Sequence, residues 1–158
     1  MQSAAASNMY EQLLDQVAEE QRRFGSELQP PVTEEQLQRV VEDASRRLSV
    51  KLPNEYLHFL LVTNGLDWNG VVIYGAGPNP ITAHPDRSIP DIVEMNQNYR
   101  DDQRFNDLLV LGSNGMDIYT YRISTDRYEI YDEVPHELTE TFPTFDELMS
   151  KALTRSLQ

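Results

Sequence analysis

The stretch Leu52-Pro-Asn-Glu-Tyr-Leu-His-Phe-Leu-Leu-Val-Thr-Asn-Gly65 decides how the rest of the chain is read. Pro53 suits a first helical position, where its missing N–H costs nothing, and Asn64-Gly65 can supply the left-handed residue that ends a helix. Between them Tyr56, Leu57, Phe59, Leu60, Leu61 and Val62 are apolar nearly all round, so the segment predicts a short helix buried on most sides. Upstream, Asn8 precedes Met9, Leu13, Val17 and Phe24 in an amphipathic pattern that closes near Gly25. Thr33-Glu-Glu-Gln36 has capping-box spacing, and Leu37, Val40, Val41, Ala44 and Leu48 then form one stripe. Residues 1–7 read as a flexible leader with no apolar anchor.

Downstream the period changes. Trp68-Asn-Gly70 turns the chain into Val71-Val-Ile-Tyr74, a β-branched run. Gly75–Asp86 holds two glycines and three prolines in 12 residues and predicts an irregular surface loop. Ser88 or Pro90 can open a helix carrying Ile92, Val93, Met95, Asn96 and Tyr99. Leu108–Leu111 reads as a buried strand. Asp117–Ile123 and Arg127–Asp132 alternate on either side of Ser124-Thr-Asp126 and predict a hairpin. Thr144-Phe-Asp-Glu147 repeats the capping-box spacing before a helix with Phe145, Leu148, Met149, Ala152 and Leu153 inward. Helices first, neighbouring strands next and a closing helix imply an α+β fold. Its sheet is largely antiparallel, with about four to six strands, flanked by N-terminal, central and C-terminal helices.

The chemical inventory is thin. There is no cysteine among 158 residues, which removes disulfides, thiol catalysis and cysteine-ligated metal sites. His58 lies in the apolar helix and reads as a packing residue, while His84 and His136 each neighbour a proline in loop-like context. No HExxH, Gly-x-Ser-x-Gly, P-loop or dinucleotide fingerprint occurs. Asp101-Asp102, Asp132-Glu133 and Glu34-Glu35 lack the calcium-loop pattern. No enzyme, metal or cofactor is expected; an activity centred on His84 and Asp86 in the Gly75–Asp86 loop is a distant alternative. The start has no secretory pattern and no run is long and apolar enough to span a membrane, so a cytoplasmic protein is expected.

Charge is more informative. The formal net charge is −13, which disfavours nucleic acid and anionic membranes and either serves solubility alone or favours a basic partner. Residues 126–147 hold eight acids against one base, Arg127. On the hairpin, period two puts Tyr119, Tyr121 and Ile123 on one face and Glu129, Tyr131 and Glu133 on a face of the second strand. One face packs against a helix; the other, with an aromatic among acids, is the candidate for a partner. Trp68 reads as core more readily than contact.

Leu52-Pro53-x-x-Tyr56-x-x-Phe59-Leu60-x-x-x-Asn64-Gly65 followed by a strand resembles the signature of the SUKH superfamily, which holds bacterial immunity proteins and a yeast cell-wall-synthesis regulator. Leu111-Gly112-Ser-Asn-Gly115-Met-Asp117-Ile-Tyr119-x-Tyr121 is similar to its glycine turn into a central strand, and Phe142-Pro-Thr-Phe145-Asp-Glu-Leu148 to its closing helix. In more detail the chain is similar to the YrhA-like branch, and the resemblance runs over about residues 33–153. The resemblance implies one SUKH-like domain over 8–158 that binds and neutralises a cognate toxin, commonly a nuclease; a signalling scaffold with endogenous partners is the alternative. It also implies that Leu52, Pro53, Tyr56, Phe59, Leu60, Asn64, Gly65, Gly112 and Gly115 build the scaffold. Charge and aromatic content place Asp126, Glu129, Tyr131, Asp132, Glu133 and Glu137 at the interface, where carboxylates occupy a phosphate-binding surface.

Overall fold

The computed structural model describes residues 8–134 and 136–158; the expected leader, residues 1–7, lies outside them. Three helices come first: α1 (Met9–Arg23), α2 (Glu34–Leu48) and α3 (Asn54–Leu60). Strands β1 (Leu66–Trp68) and β2 (Val71–Ile73) follow, then a ribbon of β3 (Pro80–Ile81) and β4 (His84–Ser88). Helix α4 (Ile92–Tyr99) and a 3-10 turn (Gln103–Phe105) lead to β5 (Leu108–Ser113), β6 (Asp117–Arg122), β7 (Arg127–Asp132) and β8 (Leu138–Phe142), and α5 (Phe145–Ser156) closes the chain. The main sheet has six strands in the order β1-β2-β5-β6-β7-β8, every neighbouring pair antiparallel. The fold is α+β, as the order of elements implies.

Local chemistry accounts for the boundaries. At α2 the Gln36 N–H donates to Thr33 Oγ1 (3.1 Å) and the Thr33 N–H to Gln36 Oε1 (2.8 Å), the full reciprocal box. Asn69 and Gly70 both have positive φ, 53° and 88°, which suits the two-residue turn between β1 and β2. Asp91, rather than Ser88 or Pro90, caps α4 by accepting from the Glu94 N–H at 2.9 Å. Pro53 is the N-cap of α3, one position earlier than expected.

The quoted motif sits at the centre of the core. Leu52, Tyr56, Phe59 and Leu60 are buried, and the Tyr56 hydroxyl donates to the Tyr74 carbonyl at 2.8 Å. Phe145 of α5 meets the rings of Tyr10 (5.5 Å), Tyr56 (6.4 Å), Phe59 (6.2 Å) and Tyr128 (5.8 Å), so α1, α3, α5 and β7 share one aromatic cluster. α3 ends at Leu60, however, and leaves Leu61 and Val62 exposed, so the helix is less enclosed than its composition suggests. Trp68 is half-buried: its indole N–H donates to Glu20 Oε1 (2.9 Å) and its ring lies 6.2 Å from that of Phe24.

The Gly75–Asp86 segment departs from expectation. It carries the β3–β4 ribbon, and Ala76, Asn79 and Ile81 are buried. Side-chain amides tie it down: Asn64 donates to the Ala76 carbonyl and accepts from its N–H, Asn79 donates to the Asn64 carbonyl, and Gln29 donates to Asn79 Oδ1. Gly and Pro content marks turns but is blind to such distant partners.

β2 ends before β5 does, and a side chain takes its place. Asn96 of α4 is fully buried; its amide donates to the Val110 carbonyl (2.9 Å) and its oxygen accepts from the Val110 N–H (2.7 Å). Asn96→Leu leaves both strand groups unsatisfied and is expected to cost about 2–3 kcal/mol. Urea unfolding with amide exchange at Val110 checks this; an unchanged midpoint would contradict it.

Candidate partner-binding surface

The six expected interface residues do not form one patch. β7 is extended, so its six residues span ~20 Å and carry the acids to opposite ends. At the hairpin turn, Asp126 has φ 54° and its carboxylate accepts from the Tyr121 hydroxyl at 2.7 Å. Glu55 lies near it: burial, then the charges of Asp126 and Asp146, raise the Glu55 carboxyl above its ordinary value.

Glu129 and Tyr131 are withdrawn from the surface, both about 7% exposed. The Arg122 guanidinium donates to Glu129 Oε1 (2.9 Å), to the Tyr131 hydroxyl oxygen (2.5 Å) and to Asp107 Oδ2 (3.2 Å), and the Tyr131 hydroxyl donates to Glu129 Oε1 (2.9 Å). Rings cover this side of the hairpin. His136 stacks on Tyr131 at 4.7 Å, Phe105 meets His136 at 4.9 Å, and Tyr99 meets Phe105 at 4.8 Å. The face that alternation offers to a partner is therefore largely occupied from within. Hairpin register explains it: Thr120 pairs with Glu129, which brings the neighbouring same-face Arg122 onto the carboxylate.

Asp132, Glu133 and Glu137 lie at the other end with three exposed apolar side chains: Met116 (65%), Val134 (87%) and Leu138 (51%). Backbone bonds hold them together, from the Glu133 N–H to the Met116 carbonyl (2.9 Å) and from the Asp132 N–H to the Glu137 carbonyl (2.8 Å). Asp117 stands directly opposite Asp132 in the β6–β7 register, an arrangement of like charges that destabilises a sheet. Among the described residues no base reaches ion-pair distance of Asp117, Asp132, Glu133 or Glu137. Some acids elsewhere are matched, Glu140 with Lys151 (3.3 Å), Asp67 with Arg87 (2.9 Å) and Asp102 with Arg104 (2.6 Å), while others, such as Glu55, Asp126 and Asp146, have no base at that distance among the described residues.

The apolar members were not evident from charge and aromatic content. Val134 stands alone in an acidic run and Met116 follows a turn glycine, and an isolated apolar residue in such places was the available signal. Beside this end an open groove of about 480 Å³ runs between α5 and the sheet, lined among others by Asp117, Tyr119, Glu140, Lys151 and Arg155. Among the described residues no three His, Cys, Asp or Glu gather as a metal site, and no helix is long and apolar enough to cross a membrane.

His136 makes this end sensitive to pH. Burial first, then the Arg104 and Arg122 charges, lower its imidazole below the ordinary value, against the opposing pull of Asp102. The unfolded chain then binds the proton more readily than the folded one, so stability falls as pH drops through about 6.5 toward the folded value and levels off below it. Thermal melts between neutral and mildly acidic pH are expected to show that decline in the native protein and less of it in His136→Asn; equal declines would remove His136 from the explanation.

No curated protein matches the chain. A family model does match, over residues 31–151, which takes in α2 to α4, all eight described strands and half of α5. It covers the family as a whole and singles out no branch. The buried Leu52–Leu60 motif and the antiparallel sheet are thus shared architecture, and the chain belongs to the SMI1 / KNR4 family (SUKH-1).

Proposed function

We propose that the protein is a cytoplasmic immunity protein that binds a basic protein toxin and neutralises it by occlusion, without catalysis of its own. The observation that supports this most is the group of Asp117, Asp132, Glu133 and Glu137, with no base at ion-pair distance among the described residues, beside exposed Met116, Val134 and Leu138. An apolar centre desolvates on contact and slows dissociation, while an acidic rim speeds the approach of a basic surface. A nuclease is the toxin class that fits best, because its phosphate-binding surface is basic. Of the residues singled out from sequence, Asp132, Glu133 and Glu137 belong to this reading; Asp126 sits at the far end of the hairpin, and Glu129 and Tyr131 support the scaffold.

Co-expression with a toxin encoded beside the gene tests it: the cells are rescued and the two proteins copurify. Replacing Asp132, Glu133 and Glu137 together by lysine is expected to slow association about tenfold at low salt, while Asp126→Lys leaves it unchanged. Stopped-flow mixing across a salt series reads both. Recovery of several endogenous partners with no dependence on any toxin would favour a scaffold instead.

A further inference from the structure

The main sheet has two edges, and the chain treats them differently. β1 is covered: Phe24 lies against Trp68, Asp67 pairs with Arg87 of β4, and Glu20 accepts from the Trp68 indole. β8 is bonded to β7 alone, and among the described residues no other group hydrogen-bonds to the backbone of Leu138–Phe142. Edge strands in stable proteins are commonly blunted by lysine, proline or bulges. Leu138-Thr-Glu-Thr-Phe142 contains neither lysine nor proline; its one irregularity, a register shift opposite Ile130 and Tyr131, affects only its first residues.

We propose that this edge is a strand-addition site, onto which the partner lays an extended segment with lysine or arginine at alternate positions. This rests on the binding reading above and specifies how the contact is made. Main-chain hydrogen bonds to β8 supply affinity without regard to sequence, and alternate side chains supply selectivity. Charge selects the occupant. Two copies of β8 paired antiparallel about their middle residue would set Glu140 against Glu140 between molecules of net charge −13, which disfavours a second copy of this chain. A basic segment instead meets Glu137 beside the strand and can direct a long side chain toward Glu140 and Asp117 at the rim of the 480 Å³ groove, whose α5 wall carries Lys151 and Arg155. Leu138 and Val134 lie beside the strand entrance, where apolar side chains of the incoming segment would pack.

The probe is a short synthetic peptide of alternating lysine and valine, compared with the same peptide N-methylated on the amides of both edges. The two carry equal charge, but only the first can extend a sheet. At saturation the unmodified peptide is expected to slow amide exchange within Leu138–Phe142 about tenfold and to shift those amide resonances, with both effects lost on N-methylation. Equal binding of the two peptides, perturbation confined to the acidic side chains, or no binding would each overturn strand addition. Toxin rescue in co-expressing cells is read separately: rescue that persists after the peptide fails leaves the neutralising function standing, and failure of rescue with a positive peptide result removes the toxin but keeps the docking edge.

Discussion

Gly112→Ala is expected to lower the unfolding free energy by about 3 kcal/mol, far more than an exposed glycine of the same motif. A methyl at Gly112 would overlap the Val72 carbonyl oxygen and come 3.0 Å from Ile73 Cα, both backbone atoms of β2. Neither can swing aside, because Val72 and Ile73 are paired with Ser113 and Gly112 in the ladder itself. The register shift between Val110 and Gly112 in the β5–β6 pairing sets this close approach. Gly115 provides the control. Nothing lies within 4 Å of a methyl there, and only its φ of +89° opposes substitution, at about 1 kcal/mol. Urea unfolding of the two variants side by side measures the difference; equal losses would show that β2 yields to β5 more easily than the packing implies.

Arg122→Ala is expected to cost about 3 kcal/mol, because it strands the Glu129 carboxylate inside the hairpin. The lower part of the usual range is appropriate, since the Arg122 side chain keeps 27% of its exposure while that of Glu129 keeps 9%. Arg122 also satisfies the Tyr131 hydroxyl and Asp107, so the loss spreads through one network. Removing both charges in Arg122→Met with Glu129→Leu is expected to recover much of the stability, as burial of an ion pair is itself costly. A double-mutant cycle by chemical denaturation reads the coupling. Additive losses would mean that Glu129 is solvated after all and available to a partner.

Much of the scaffold was legible because it rests on local rules. The 3.6-residue stripe of α2, its Thr33–Gln36 box and the alternation of β6 and β7 are each set by neighbours in sequence. What escaped depends on distant partners. The amides of Asn64, Asn79 and Gln29 order a segment whose glycines and prolines read as an irregular loop. The six expected interface residues do not form one patch for a geometric reason: Asp126 and Asp132 are close in sequence, but an extended strand separates them. Glu129 was counted as surplus charge, but the hairpin register, which a charge count along the chain does not contain, puts Arg122 on its side. Charge totals are read along the chain, and neutralisation happens across strands.

On the proposed reading, recognition takes place at the end of the sheet formed by Met116, Asp117 and residues 132–134 and 136–142. Hydrogen exchange on the complex with the copurifying toxin tests this directly. Protection is expected at Met116–Ile118 and at residues 132–142, with little change around Glu55, Asp126 and Asp146. Protection concentrated at that second acidic group or on α2, with β8 exchanging as in the free protein, would contradict it.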